Sequence, residues 1–212
     1  MEDFASRLDV MRESVARDLD PTNLERATVL AGLVQLLDAG FFRVGSERYA
    51  AQHRTFGLTT LLRSHVTVRR SGVIVFDYTA KHGKRRVERA SDERVAELVV
   101  RLKRRRSDVH PRLFSSRDLG RWSAVRASDL NAYLQTASGT AVTAKDFRTW
   151  NGTVLAATLL AHAKVPASRR DRERVATGVL REVADALGNT LAVARGSYVD
   201  PRVVDAWGRG DT

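Results

Sequence analysis

The chain has 212 residues, which is enough for a substantial hydrophobic core, and its hydrophobic fraction of 43% is ordinary for a folded protein. Lysine and arginine number 36 against 25 aspartate and glutamate residues, and the net charge of +11 favours a polyanionic partner such as nucleic acid. The sequence contains no cysteine, which excludes disulfides, thiolate metal sites and cysteine nucleophiles, and no apolar run approaches the ~20 residues of a membrane span.

The first helices are predicted from apolar residues at helical spacing. Residues 5–18 show one amphipathic pattern, and residues 24–38 show a second that ends at Gly40. Ser46 is a candidate cap for a short helix that reaches about His53. The N-terminal third of the chain is therefore expected to be mostly helical.

Alternating apolar residues then predict the one convincing β segment. Residues 65–68, 73–78 and 85–89 are expected to form a three-stranded antiparallel meander inserted at about residues 64–90. The turn at residues 81–84 joins its second and third strands, so basic side chains project from the end of a hairpin.

The remainder of the chain is predicted to be helical. Helices are expected over residues 91–105, 129–135, 143–163 and 169–187. The basic run Arg101–Arg106 is interpreted as a solvated helix end that the helix dipole favours. The predicted fold class is mainly α with a small inserted antiparallel sheet, organised as a single domain over residues 1–212.

One tyrosine, two separated arginines and a lysine in a hairpin turn are typical of a site that attacks a phosphodiester. A phenol attacks after it loses its proton, so Tyr198 as the nucleophile needs nearby positive charge, which Arg43 and Arg148 would supply. Lys81 would protonate the departing oxygen.

Each of these residues also has an ordinary structural interpretation. Tyr198 could be a partly buried aromatic residue that closes the last helices, and Arg43 could be a surface charge. Arg148 has no ion-pair partner four residues away on its predicted helix, because Ala144 and Gly152 occupy those positions. That absence favours a functional role for the arginine.

Three further residues are candidate DNA contacts. Lys84 lies in the same turn as Lys81 and is the alternative general acid. Lys145 lies one helical turn before the second arginine and could contact a phosphate or a base edge, or face solvent. Tyr49 lies six residues after the first arginine and could bind the same phosphate or simply pack.

Several cofactor and targeting signals are missing from the sequence. The five histidines, among them His110, show no metal-ligand spacing, and no Gly-x-x-x-x-Gly-Lys-Ser/Thr loop is present. We therefore expect no metal, no cofactor and no ATP-driven reaction. The acidic N-terminus lacks the features of a signal peptide, so a soluble cytoplasmic protein is expected.

Three segments in order along the chain resemble the catalytic domain of type IB DNA topoisomerases, with the closest likeness to the bacterial and poxvirus branch. The segments are Phe42–Ala50 with Phe56–Leu61, Thr143–Trp150, and Leu187–Pro201. The likeness extends from about residue 24 to residue 205. Three collinear motifs support the resemblance more than any single motif does.

The resemblance implies a type IB topoisomerase and tyrosine recombinase catalytic-domain-like fold. It also implies an enzyme that relaxes supercoiled double-stranded DNA as a monomer, associated with the nucleoid. Members of the family form a 3′-phosphotyrosyl link, free a 5′-hydroxyl, let the cut strand swivel and then reseal it without nucleotide or metal. By their positions in the motifs, Arg43 and Arg148 correspond to the phosphate clamps of the family. Tyr198 corresponds to the nucleophile and Lys81 to the general acid.

The chain departs from the family pattern in two respects. Viral and eukaryotic relatives have histidine where this chain has Asn189, although an amide NH₂ can donate the same hydrogen bond to a phosphate oxygen. Family enzymes usually also carry an N-terminal domain that closes over the duplex. Only about twenty residues precede the first matched helix, so this clamp domain is expected to be absent, either by truncation or in a naturally short protein.

Two other functions remain open from the sequence. A tyrosine recombinase or integrase uses similar Arg, Lys, Arg and Tyr residues, but usually has His-x-x-Arg at the second arginine and His or Trp before the tyrosine. This chain has Lys145-x-x-Arg148 and Asn189, which favour the topoisomerase. A non-catalytic DNA-binding module could keep the fold and lose the chemistry.

Overall fold

The described residues of this computed structural model, 1–105 and 111–211, fold into nine α-helices and two small antiparallel sheets, so the mainly α prediction is confirmed. Arg106 of the basic run and His110 lie outside the described residues. The helices are α1 (Glu2–Asp18), α2 (Arg26–Ala39), α3 (Glu47–His53), α4 (Glu93–Arg104), α5 (Ala127–Ser138), α6 (Ala144–Ala161), α7 (Arg169–Leu187), α8 (Leu191–Ser197) and α9 (Pro201–Arg209). The strands are β1 (Val66–Val68), β2 (Ile74–Thr79), β3 (Arg85–Ala90), β4 (Ser115–Asp118) and β5 (Arg121–Ala124).

The described chain divides into two compact units. The N-terminal unit is Ser6–Ala144, and the C-terminal unit is Met1–Ala5 with Lys145–Thr212. A single catalytic domain over residues 1–212 stays a prediction. No helix within the described residues is both long enough and apolar enough to cross a membrane.

The core of the N-terminal unit forms around α2, whose side chains are buried on most of its surface. This helix contacts α4, α5 and β4. The amphipathic α4 contributes Val95, Leu98, Val99 and Leu102 at helical spacing. It begins where the Asp92 side chain accepts a hydrogen bond from the Val95 N–H at 2.9 Å.

The three-stranded sheet has the predicted meander order β1-β2-β3, with both neighbouring pairs antiparallel. Its central strand alternates as expected, because Ile74, Phe76 and Tyr78 are buried while Asp77 and Thr79 are exposed. This alternation fixes which face of the hairpin meets the core. The turn that carries Lys81 follows directly on the end of β2.

The expectation of a single β segment is wrong, because β4 and β5 form a second antiparallel hairpin. Its strands lack an apolar alternation, and the buried residues Ser115 and Ser116 are polar. Its turn contains Leu119, which is fully exposed at φ 46°, in place of the Asn or Asp that usually favours such a turn. The apolar alternation on which strand prediction relies is therefore absent, and Gly120 at φ 80° is the turn signal that this segment does carry.

The interpretation of the basic run as solvated is wrong for two of its members. Lys103 Nζ donates to the Arg63 carbonyl at 2.7 Å and also to the Val66 carbonyl. Arg105 is buried, and its guanidinium donates to the carbonyl of Leu113 at 2.7 Å and to that of Arg112. Burial, together with the neighbouring charge of Arg63, lowers the pKa of Arg105 to about 10.

We expect Arg105→Ala to lower the free energy of unfolding by about 3 kcal/mol, because it removes charged hydrogen bonds and leaves buried carbonyls unsatisfied. Arg104 is the adjacent residue of the same run and is exposed. Arg104→Ala is the matched control and should change the value by no more than about 0.5 kcal/mol. Urea denaturation followed by circular dichroism measures both, and equal losses would contradict the structural role of Arg105.

The C-terminal unit packs α6, α7, α8 and α9 around a core that includes Leu160, Leu180, Val183 and Leu187. Trp207 on α9 is 1% exposed, and its indole N–H donates to the Ala163 carbonyl at 3.1 Å. The Asp200 side chain accepts from the Arg202 N–H at 3.1 Å and caps α9, which begins at a proline.

Candidate active site

Arg43 lies in an extended segment of the N-terminal unit whose backbone is held by the loop that follows α3. Its carbonyl accepts from the Leu58 N–H at 2.8 Å, and the neighbouring Val44 carbonyl accepts from the Thr59 N–H at 2.8 Å. A Cβ at Gly57 would lie 2.6 Å from the Arg43 carbonyl oxygen, so glycine permits this close approach. The two halves of the first motif are thus joined through their backbones.

Lys81 begins the short turn that joins β2 to β3, as the sequence predicts. The turn is closed by the Ala80 N–H, which donates to the Lys84 carbonyl at 2.8 Å. His82 adopts a left-handed conformation at φ 65°, which reverses the chain between the strands. Both lysine side chains of this turn are exposed.

Arg43 and Lys81 line one cavity of about 130 Å³ within the N-terminal unit. Tyr49 lines it as well, from α3, and is 53% exposed. Lys84 is absent from the cavity wall among the described residues. Two positive side chains and a phenol around a small open cavity form a site that suits a phosphate group.

Thr55 and Phe56 also line the cavity. Phe56 belongs to the first sequence motif but was given no role there, and sequence reasoning missed Thr55. The Phe56 N–H donates to the Thr79 carbonyl at 2.8 Å, which ties the cavity wall to β2. The ring of Phe56 contacts the ring of His65 edge-on at 4.5 Å between centroids.

His65 supports this wall in its neutral form. Its Nδ1 accepts a hydrogen bond from the Leu62 N–H at 3.2 Å, and protonation would remove that acceptor. Burial lowers the pKa of His65, although the charge of Asp77 acts in the opposite direction. The folded state therefore favours the uncharged ring.

We expect acid to destabilise the fold through His65. Because its folded pKa lies below the unfolded value of about 6.5, the contribution is complete above that pH and is lost as the pH falls below it. When the pH is lowered from 7.5 to 5.5, the thermal midpoint of the wild type should decrease by more than that of His65→Asn. The asparagine amide oxygen can accept the same hydrogen bond and does not titrate. Identical pH profiles for the two proteins would contradict this role.

Tyr198 lies in the C-terminal unit at the residue that ends α8, where its N–H donates to the Ala194 carbonyl at 3.0 Å. The residue is partly exposed. The following residue, Val199, is buried and anchors the segment in the core of the unit. The hydroxyl-bearing ring is therefore carried by a short, well-anchored turn between two helices.

Arg148 lies on α6 and faces the ring of Tyr198. The guanidinium carbon is 5.2 Å from the ring centroid, which is a cation–π geometry. The side chain is only 4% exposed, and Nη2 donates to the Leu187 carbonyl at 2.9 Å. The structure thus brings together two residues that sequence reasoning assigned to one reaction.

Asn189 follows directly on the end of α7. Its N–H donates to the Ala184 carbonyl at 2.8 Å, beside the Gly188 N–H that donates to Asp185. The turn that carries Asn189 begins at Leu187, whose carbonyl accepts from Arg148. The residue as a whole is partly exposed, but its amide nitrogen Nδ2 is buried.

Lys145 lies in the first turn of α6, one turn before Arg148, and is exposed. The structure also gives a role to Gly152 and Thr153 on this helix, which sequence reasoning missed. A Cβ at Gly152 would meet the Tyr198 carbonyl, and Thr153 Oγ1 accepts from the Asp200 N–H at 3.1 Å. A glycine inside a strongly predicted helix is the signal that could have indicated this contact.

Comparison with known proteins identifies related sequences over most of the chain. The family model described as the catalytic core of eukaryotic DNA topoisomerase I matches residues 1–203. A DNA topoisomerase 1B of Acanthamoeba polyphaga mimivirus is 25% identical over 202 residues. That match covers 93% of this chain and 60% of the viral protein, so the chain spans less than two thirds of the relative's length.

Proposed function

Because the chain belongs to the family of the eukaryotic DNA topoisomerase I catalytic core, we propose that it relaxes supercoiled DNA by transient cleavage of one strand. The reaction is a pair of transesterifications that conserve the energy of the phosphodiester bond, so it proceeds without ATP. The name of the mimivirus relative, DNA topoisomerase 1B, supports this assignment.

The placement of Arg148 against Tyr198 carries the proposal. The guanidinium carbon of the buried Arg148 lies 5.2 Å from the centroid of the Tyr198 ring, so the proposed nucleophile and one proposed phosphate clamp are direct neighbours. The same cation can stabilise the charge that develops on a phosphate bonded to that phenol.

In this mechanism the oxygen of Tyr198 forms a bond to the scissile phosphorus while the bond from phosphorus to the 5′-oxygen breaks. The phenolic proton passes to water, and Lys81 gives a proton to the departing 5′-oxygen. Arg43 and Arg148 neutralise the non-bridging oxygens, and Asn189 donates an amide hydrogen bond to one of them. The released 5′-hydroxyl later attacks the phosphotyrosine and reverses each transfer.

The proposed substrate is double-stranded DNA, bound by one copy of the chain in the nucleoid of the cytoplasm. Lys145 and Lys84 are proposed to contact the strand outside the scissile phosphate, and Tyr49 is proposed to contact the scissile phosphate itself. All three residues are exposed. The net charge of +11 supports binding to a polyanion. No metal or organic cofactor takes part in the proposed chemistry.

A nicked suicide substrate tests the proposal most directly. Cleavage near a strand end releases a short 5′-hydroxyl fragment that diffuses away, so a 3′-phosphotyrosyl adduct accumulates and can be resolved on a denaturing gel. The reaction should proceed in EDTA without ATP, and the same preparation should relax a supercoiled plasmid. Measurable duplex binding without any adduct would indicate a DNA-binding module instead and would overturn the proposal.

A further inference from the structure

A glycine lies in the middle of α6, where glycine is among the least favourable residues. Gly152 is buried, and the nearest atom to a Cβ placed on it is the carbonyl oxygen of Tyr198, at 2.6 Å. Real Cβ atoms essentially never approach a backbone oxygen so closely. Glycine is therefore the residue that lets the backbone of Tyr198 rest directly on the helix.

A second contact from the same helix holds the other side of this segment. Thr153 is 8% exposed, and its Oγ1 accepts a hydrogen bond from the Asp200 N–H at 3.1 Å. Asp200 in turn caps α9 and forms an ion pair with Arg202 at 2.6 Å. The segment from Tyr198 to Asp200 is thus fixed to α6 at both of its ends.

Arg148 lies four residues before Gly152, so the two project from the same face of α6. The arginine faces the ring of Tyr198, while the glycine lies under its carbonyl. One rigid helix therefore positions both the cation and the backbone that carries the phenol. A change in the distance between that backbone and α6 would change the position of the ring relative to the guanidinium.

We propose that Gly152 is a positioning residue, which sets the depth at which Tyr198 lies against α6 and so aligns the nucleophile with Arg148. This inference rests on the proposed strand-cleavage function. Small displacements of a reacting group can slow a reaction about 100-fold without weakening substrate binding. The expected signature of the role is a slower cleavage step on DNA that is bound as tightly as before.

Gly152→Ala is the direct test, and Gly178→Ala is its matched control. Gly178 is also a mid-helix glycine of the C-terminal unit, but a Cβ there would meet no atom within 4 Å. Both changes raise helix propensity equally, so only the contact with Tyr198 distinguishes them. The measurements are the duplex dissociation constant, the thermal midpoint, and the single-turnover rate of adduct formation at saturating suicide substrate.

We expect Gly152→Ala to form the adduct at least about tenfold more slowly than the wild type, with a dissociation constant within about twofold. Gly178→Ala should cleave at the wild-type rate. Equal cleavage rates for the two alanine variants would overturn the inference, as would a loss in Gly152→Ala that lies wholly in DNA affinity. If the wild type itself forms no adduct, the proposed function fails, and the inference fails with it.

The hydrogen bond of Thr153 provides a second test in case Gly152→Ala does not fold. Thr153→Val keeps the side-chain shape but removes the acceptor for the Asp200 N–H, whereas Thr153→Ser keeps the oxygen. Cleavage should slow in the valine variant and recover in the serine variant at unchanged DNA affinity. Wild-type cleavage by Thr153→Val would overturn the idea that α6 aligns this segment.

Discussion

Tyr198→Phe is expected to abolish formation of the covalent DNA adduct, with no residual cleavage above background. The change removes only the phenolic oxygen, which is the attacking atom in the proposed mechanism. The aromatic ring is retained, so its cation–π contact with Arg148 and the packing of the segment on α6 should persist. Gel analysis of suicide-substrate reactions, beside a measurement of duplex affinity, should show binding without chemistry.

Tyr49→Phe is the informative comparison, because Tyr49 is also exposed and lines the cavity of Arg43 and Lys81. If Tyr49 contacts the phosphate without attacking it, Tyr49→Phe should form the adduct several-fold more slowly but still form it. Peptide mapping of the adduct would then identify Tyr198 as the attached residue. An adduct that persists in Tyr198→Phe and disappears in Tyr49→Phe would assign the attack to the other phenol.

The helices up to α7 could be predicted from sequence because their signals are local, whereas α8 and α9 were not predicted. Residues 169–187 were expected to be helical, and α7 has the same bounds, since its apolar spacing is regular and Gly188 ends it. The hairpin of β4 and β5 could not be predicted, because Ser115 and Ser116 are buried in strands without apolar alternation. Its stability depends on tertiary packing against α2, which no local pattern encodes.

The sequence nominated the residues of the candidate site, whose roles stay predictions, but it could not predict their geometry. Motif spacing singled out Tyr198 and Arg148, although they lie fifty positions apart in the chain. Their contact depends on the turn at Leu187 and on the absence of a side chain at Gly152. A sequence pattern states which residue types are present, whereas a close backbone approach is a property of the packed structure.

The basic residues also show a limit of sequence-based prediction, because composition cannot distinguish buried cations from exposed ones. Composition treats every arginine and lysine as a potential DNA contact, yet Arg105 and Lys103 use their charge to bind backbone carbonyls inside the N-terminal unit. Arg85 forms an ion pair with Asp77 at 2.6 Å across β2 and β3. The number of basic residues therefore overstates the cations that are available to bind a phosphate backbone.

Lys81→Ala is expected to slow strand cleavage by about 10²–10⁴-fold, which is the usual range for loss of a general acid. The defect should depend on the leaving group, because a 5′-oxygen needs a proton to depart and a bridging 5′-sulfur does not. On a 5′-phosphorothiolate duplex, Lys81→Ala should cleave at nearly the wild-type rate. Single-turnover cleavage of both substrates, measured at saturating enzyme, gives the ratio.

Lys84→Ala provides the matched control. Lys84 is the other exposed lysine of the same turn, and it is not among the described residues that line the Arg43 cavity. Its loss should weaken duplex binding and reduce the number of counterions released on binding, measured from the salt dependence of the affinity, by about one. The cleavage rate of this variant should not be restored by the sulfur substrate. Sulfur rescue of Lys84→Ala instead of Lys81→Ala would make Lys84 the general acid. Because the cavity places Lys81 beside Arg43, the leaving oxygen and the clamped phosphate can share one small site, and that arrangement favours Lys81 as the proton donor.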